Sequence, residues 1–420
     1  MVPLESSFVL PTGATAPWSR ESTKRYGIVV EQLRRSVPGG IGTYARGLLQ
    51  GLQAQGTNLD VNEFLTLIAS GVSAEPDPLA QLGQLWSPLR GMPIGHRITQ
   101  RGWDNRFFAV PAGFDVVHAT SFAQPPRRVS AKRSERLRTM YVHDLAWRTH
   151  PDAYPEAGRI WHERALARAL RETDEFFVPS KATEEALRAA SRRTIDVWVI
   201  AEGCDHLPLL LPGSDDHLET AGHGRLGASG AKGLIDHHEP GYLLTVSTRE
   251  PRKNLARLLQ AYVATRAELQ ALGSPVPTLR IVGPPGWSNA DGNATLPAHL
   301  PEGVALIGAV SDDELARQLR GAKGFLYVPL VEGFGLPPLE AMRSGAAVVC
   351  SAVPSVAEAN PEAACIVDPL SVDSIGAGIL RVLTDDDFRD RLIAAGSVLA
   401  SQRTWAECAA QHLKSWRSAS

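Results

Sequence analysis

The chain has 420 residues, 44% of them hydrophobic, enough for two packed cores of ordinary domain size. Its 43 basic and 45 acidic residues leave a formal charge of -2, which excludes a globally basic nucleic-acid binder. Cys204, Cys350, Cys365 and Cys408 stand apart, without a Cys-x-x-Cys pair or a His at zinc-ligand spacing, so the sequence implies reduced thiols, no metal centre and a cytoplasmic protein.

No apolar run approaches the ~18 residues of a membrane-spanning helix, and the first 25 residues lack the basic-then-apolar order of a signal peptide. Short runs rich in Val and Ile alternate with stretches of helical period, the pattern of α/β layers on parallel sheets. In the first half these runs predict strands at 26–30, 114–119, 138–144, 175–180 and 196–200. In the second half they fall at 242–247, 278–283, 304–308, 324–329, 346–351 and 364–368. Each half therefore has strands for its own doubly wound sheet. Residues 1–205 form the first unit, 206–240 a Gly-, Ser- and Asp-rich connection, and 241–404 the second unit. The helical period resumes at 405–420, which is expected to pack back on the first unit.

After the first strand comes "VPGGIGTYARGLLQGL", Val37 to Leu52, a Gly-rich loop entering an amphipathic helix. It formally matches a dinucleotide fingerprint, but about eight residues, including Arg34, Arg35 and Pro38, separate it from the strand, whereas a nicotinamide site needs the turn directly after it. A loop that closes over phosphates from the opposite unit accounts for Gly39, Gly40 and Gly42 equally well. His118 in "DVVHATS" and His143 in "YVHDLAW" both end strands, where either one lines a cleft or serves the core. The basic stretch 127–138, with 89–108 before it, offers a peripheral contact to an anionic bilayer, or is simply solvated.

In the second half "STREPRKNLARLLQAY", Ser247 to Tyr262, sets Arg249, Arg252 and Lys253 between a strand and an amphipathic helix. That is the carboxyl edge of the sheet, where ligands of α/β proteins bind, and Arg with Lys suits a pyrophosphate. Then "LVEGFGLPPLEAMRSGAAVV", Leu330 to Val349, delivers Gly333, Phe334, Gly335 and Leu336 to the mouth of a helix that begins near Pro338 and stops at Gly345. Free amides and the positive dipole end favour an anion there. Glu332 and Glu340 bracket this turn. Glu340, in the first helical turn, suits a ribose diol better than a phosphate, and a cutting pair of carboxylates is the weaker alternative.

Taken together these motifs resemble the retaining GT-B glycosyltransferases of family 4, a group that includes bacterial mannosyltransferases. The resemblance covers nearly the whole chain and is strongest from Tyr242 to Trp405, where two glutamates with seven residues between them are the family's signature. It implies an α/β GT-B fold, two Rossmann-like doubly wound domains facing a cleft. It also implies that Glu332 contacts the transferred sugar, Glu340 the nucleotide's ribose, and the backbone amides of Phe334 to Leu336 the phosphates or sugar. Arg252 and Lys253 would hold the diphosphate, with Arg249 less clearly placed. Gly39 to Gly42 resembles a loop reaching the donor phosphates, His118 a histidine near the donor sugar, and His143 with Asp144 an element of the mannosyltransferase branch. Gly283 and Val310 complete the implied donor set.

Some positions depart from the family's pattern: Pro329 and Leu330 stand where small residues are common, and "PSVAEA" lacks a Pro before Glu358. The implied reaction moves a hexose to a hydroxyl of a glycan or lipid-linked acceptor without a cofactor or a metal. GDP-mannose is the donor toward which the motifs lean, with UDP-sugars and dTDP-rhamnose open. A sugar-nucleotide epimerase of the same fold and a non-catalytic nucleotide-sugar binding protein are the rival readings.

Overall fold

The computed structural model describes residues 24–35, 37–55, 63–70, 90–92, 95–107, 113–127, 137–209, 241–286 and 296–418. Each run of Val and Ile singled out above forms a strand. The first sheet holds β1 (Lys24–Val29), β2 (Glu63–Ser70), β3 (Arg90–Met92), β4 (Val116–Ala119), β5 (Leu137–Tyr141), β6 (Glu175–Val178) and β7 (Asp196–Val199). The second holds β8 (Tyr242–Val246), β9 (Leu279–Val282), β10 (Val304–Gly308), β11 (Ala322–Tyr327), β12 (Ala347–Ser351) and β13 (Ala364–Val367).

The seven-stranded sheet has the order β3-β2-β1-β4-β5-β6-β7 and the six-stranded sheet the order β10-β9-β8-β11-β12-β13. Every pairing is parallel: Ile28 of β1 faces Leu67 of β2 and His118 of β4, and Phe325 of β11 faces Leu244 of β8 and Val348 of β12. In each sheet the chain winds outward from a central pair, β1 and β4 in one, β8 and β11 in the other. Loops leaving the carboxyl ends of such a pair run in opposite directions and open a crevice between them. The two-unit, doubly wound architecture expected from the sequence is therefore present.

Strands β2 and β3 have no counterpart in the strands read from the sequence. Strand β3 is three residues long at the sheet's edge, and "EFLTLIAS" of β2 lacks the continuous Val/Ile signature of a strand buried on both faces. The glycines also behave differently. Gly39, Gly40 and Gly42 lie in the first turn of the helix Gly39–Ala54, with Pro38 as its N-cap, and not in a loop ahead of it.

The helix Trp405–Ser418 crosses onto the first sheet, where Trp405, Cys408, Ala409, Leu413 and Trp416 share a core with Tyr26, Tyr44 and Leu48. Burying each tryptophan contributes roughly 4–6 kcal/mol at most. Close crossing is possible because Gly47 and Gly51 present no side chain: a Cβ on Gly51 would lie 2.0 Å from the Trp405 carbonyl oxygen.

The two units also touch directly. Ser180 Oγ and Thr183 Oγ1 donate to the Gly333 carbonyl at 2.7 and 3.2 Å. The amides of Lys181 and Ala182, opening the helix Lys181–Ala190, donate to the Glu358 carboxylate at 2.9 to 3.4 Å. A carboxylate at a helix N-terminus satisfies otherwise unpaired amides and suits the dipole.

Candidate active site

The loops after β8 and β11, the central pair of the second sheet, carry the cations and the first signature glutamate. Residues Pro251–Lys253 form a single 3-10 turn that ends at Asn254, held at φ +61. Asn254 is buried, and its amide donates to the carbonyls of Val328 and Pro369 at 3.0 and 2.7 Å. Asn tolerates this left-handed conformation better than most residues. The turn is tied to the neighbouring loop by a bond from the Leu330 amide to the Arg252 carbonyl at 2.8 Å.

Glu332 Oε1 accepts from both Arg252 Nη1 and Lys253 Nζ at 2.5 Å. Arg252 Nε also donates to Glu250 at 2.8 Å, and Lys253 reaches the Tyr327 hydroxyl at 3.1 Å. Ser355 Oγ donates to the Glu332 carbonyl, fixing the backbone as well. Burial opposes ionisation of Glu332, but Arg252 and Lys253 outweigh it and hold the carboxyl below its ordinary value. Burial would likewise depress Arg252, yet Glu332 and Glu250 keep its guanidinium well above its usual value. For Lys253 burial dominates: even with Glu332 pulling the other way, its ammonium lies below the ordinary lysine value, with Arg252 adding to the drop. The cluster is thus two cations on two carboxylates, compact and nearly closed to water.

Beside it the turn Gly333–Gly335 enters the helix Leu336–Arg343, with Pro337 and Pro338 in its first turn and Gly335 at φ +109 as its N-cap. That backbone angle requires glycine. Gly333 is fixed for another reason: a Cβ there would lie 1.7 Å from the His143 carbonyl oxygen and 3.1 Å from Asp144 Cβ. The signature turn of the second unit therefore rests on the His143–Asp144 backbone of the first. Phe334 and Leu336 are buried in the second core. Glu340 is buried too, its Oε1 3.0 Å from His206 Nε2.

His143 stays at this junction, its Nε2 donating to the Thr120 carbonyl at 3.0 Å and its Nδ1 3.3 Å from Glu202 Oε1. Tyr154 packs close by, its hydroxyl pushed well up by burial and by Asp144.

His118 is a correction: it does not reach the cleft. It is fully buried, and the pleat of β4 turns it toward the crossover helix. Trp416 Nε1 donates to Thr139 Oγ1 at 3.1 Å, and Thr139 lies 2.9 Å from His118 Nδ1. The Tyr44 hydroxyl lies 3.2 Å from His118 Nε2 and 2.9 Å from His412 Nε2, and His412 Nδ1 donates to the Cys408 carbonyl at 2.8 Å. An indole N–H can only donate and a carbonyl can only accept, so one direction satisfies every member: Trp416 to Thr139, to His118, to Tyr44, to His412, to the Cys408 carbonyl. Both histidines are neutral in that chain. Accordingly burial, with His412 and His143 nearby, holds His118 well below its ordinary value.

The remaining residues are spread out. The Arg249 amide donates to the Pro284 carbonyl at 3.4 Å, while the described cations on Glu332 are Arg252 and Lys253. Gly283, at φ +140, lets the ends of β8 and β9 meet, since a Cβ would lie 2.0 Å from the Ser247 carbonyl oxygen. Val310 packs half-buried against the second core. Gly42 is needed beneath Pro38, at 2.2 Å, whereas Gly39 and Gly40 face open space that a ligand can approach. The connection beyond Leu209 to 240 and the basic residues 128–136 lie outside the described residues. The described part of the other basic stretch exposes Arg97, Ile98, Arg101 and Phe107. No helix among the described residues is long and apolar enough to cross a membrane.

Sequence reasoning missed Glu250, Tyr327, Tyr154, Ser180 and His206. Glu250 sits inside the quoted motif and was within reach of charge counting, while the others meet the site only through long-range packing.

Residues 38–206 match the family described as Glycosyltransferase Family 4, and residues 233–398 match Glycosyl transferases group 1. The chain is 38% identical over 178 residues to the O-antigen chain mannosyltransferase B of Escherichia coli, a match covering 42% of this chain and 46% of that protein. It is 33% identical over 168 residues to the serotype-specific mannosyltransferase WbdA of Escherichia coli, covering 40% of this chain and 20% of that one. The chain thus spans less than half the length of these curated relatives. The structure is similar to that of HepE of Anabaena, solved in complex with UDP-glucose, with a TM-score of 0.61, 15% identity, and coverage of 94% of this chain and 99% of that one. At that identity the likeness concerns the fold alone. With both halves matched in this order on two doubly wound sheets, the chain belongs to the GT-B glycosyltransferases of family 4, group 1.

Proposed function

We propose that the protein transfers a hexose, mannose from GDP-mannose, to a hydroxyl of a glycan or lipid-linked acceptor with retention at the anomeric carbon. The observation that carries this reading is the convergence of Arg252, Lys253 and Glu332 on the glycine turn that opens the helix Leu336–Arg343. The bond from the sugar C1 to the diphosphate oxygen breaks, and a bond from C1 to the acceptor oxygen forms on the same face. The acceptor's proton passes to the departing diphosphate. Such a path calls for stabilisation of an anionic leaving group and a cationic sugar more than for a protein nucleophile.

Arg252 and Lys253, with the amides of Phe334 to Leu336, offer charge and donors to the diphosphate. Glu332 offers the sugar hydroxyls an acceptor, held ionised by those same cations. Glu340 offers a second acceptor to the ribose. The similarity to mannosyltransferases supports the choice of sugar.

The test is GDP release from GDP-mannose by the full chain, with and without mannosides and polyprenyl-linked glycans. Release that requires one of these acceptors is the expected result. Conversion of the sugar without any acceptor favours the epimerase, and donor binding with no turnover under any condition favours a binding protein.

A further inference from the structure

Glu340 raises a question of orientation. Its side chain is 8% exposed, one oxygen faces His206, and no described residue takes the other. The terminal torsion of a glutamate is broad and roughly two-fold, so a carboxylate without a fixed partner samples several planes. A diol is read well only when the plane is fixed and an oxygen is left open for it.

His206 supplies that partner in a defined tautomer. Trp405 Nε1 donates to His206 Nδ1 at 3.3 Å. An indole nitrogen cannot accept, so Nδ1 carries the lone pair and the ring proton sits on Nε2, 3.0 Å from Glu340 Oε1. His206 therefore turns its Nε2 proton toward Glu340 Oε1 at 3.0 Å, whereas a lysine or arginine there would compete with sugar hydroxyls for the charge. The ring is held from both sides. Trp405 is 2% exposed, lies against Gly47 and Gly51 of the first unit, and has its own amide bound to Asp205 Oδ1 at 2.7 Å.

We infer that His206 is a positioning residue that sets the Glu340 carboxylate for the ribose of the donor nucleotide and links that contact, through Trp405, to the core of the first unit. The inference rests on the donor reading of Glu340 given above. Because His206 follows directly on the first unit and Glu340 belongs to the second, ribose recognition is coupled to how the two units sit.

The experiment is calorimetric titration of the full chain with GDP, UDP and ADP and with the 2′-deoxy form of each. Its readout is the ratio of dissociation constants, deoxy over ribo, for the base bound most tightly. Wild type is expected to show a ratio of about tenfold or more, the worth of a hydrogen bond to a charged group. His206→Leu is expected to bring it near one by weakening the ribonucleotide alone. His206→Gln, whose amide N–H reaches the Nε2 position, should restore most of the ratio. Trp405→Phe, which keeps a ring but removes the donor, should lower it in part.

A ratio unchanged in His206→Leu overturns the inference and leaves the donor reading standing. So does a wild-type protein that binds the deoxy form equally well or better. Wild type that binds none of the three nucleotides overturns the donor reading itself. Melting of each variant without nucleotide identifies any that fails to fold. Should His206→Leu be such a case, Trp405→Phe carries the test: a ratio lowered there and kept in His206→Gln supports the proposal, and a ratio unchanged in Trp405→Phe overturns it.

Discussion

Arg252 and Lys253 both donate to one oxygen of Glu332. Removing either cation leaves the carboxylate paired, while removing the carboxylate leaves two nearly buried cations side by side. Lys253→Ala is therefore expected to fold, and Glu332→Ala to lose more stability. In turnover the order differs under the proposed function, in which Lys253 donates to the departing diphosphate. Lys253→Ala should cost about 3 kcal/mol of transition-state stabilisation, on the order of a hundredfold in kcat. Steady-state kinetics check this, and near wild-type turnover would remove Lys253 from the mechanism. At this scale the signature glutamates and the Arg-Lys pair were legible because a strand, a basic turn and a glycine turn are local patterns. The partner of Glu340 was not. His206 stands between Asp205 and a Leu- and Pro-rich run, and nothing in its neighbours signals that it meets a residue of the second unit. His118 shows the opposite failure: a histidine ending a strand suggests a cleft, but the pleat and the crossover helix decide which way it points.

Among elements, the six strands of the second sheet were legible because each carries a short apolar run, the edge strands β10 and β13 included. β3, the three residues Arg90–Met92, carries no such run, which is why it was invisible. Glycines in the helix Gly39–Ala54 were recognised as unusual but given one explanation where there are two. Gly39 and Gly40 face open space, whereas Gly47 and Gly51 make room for Trp405. These positions should respond differently to substitution. Gly51→Ala forces a methyl against backbone at 2.0 Å and is expected to destabilise by roughly 1–3 kcal/mol, the range for overpacking a well-filled contact. Gly40→Ala meets nothing and should melt with wild type. Equal melting temperatures for the two variants would contradict the crossing described here.

Over the whole molecule, the buried chain from Trp416 through Thr139, His118, Tyr44 and His412 joins β4, β5, the helix Gly39–Ala54 and the crossover helix. It works only with neutral imidazoles. Burial lowers His412 from an ordinary 6.5 to about 4. The unfolded chain thus binds a proton between those values that the folded chain does not, and stability rises with pH across that window. The contribution is fully present above pH 6.5 and lost as pH falls toward 4, amounting to roughly 3 kcal/mol from His412. His118 is shifted in the same direction. Urea unfolding at several pH values should therefore show stability falling from pH 6.5 to 4, and His412→Gln should flatten part of that slope. An identical slope in the variant would mean that His412 is not the group responsible.

The central claim is that the segment from Glu332 to Glu340, facing Arg252 and Lys253, is a nucleotide-sugar site. It is tested most directly by thermal unfolding of the full chain with GDP, UDP, dTDP and ADP and with their sugars. A ligand present at 100 times its dissociation constant adds ~2.7 kcal/mol of stability. The account predicts that one nucleotide series, GDP with GDP-mannose, raises the melting temperature accordingly and that Lys253→Ala weakens the effect. No shift with any of the four nucleotides or their sugars would contradict it.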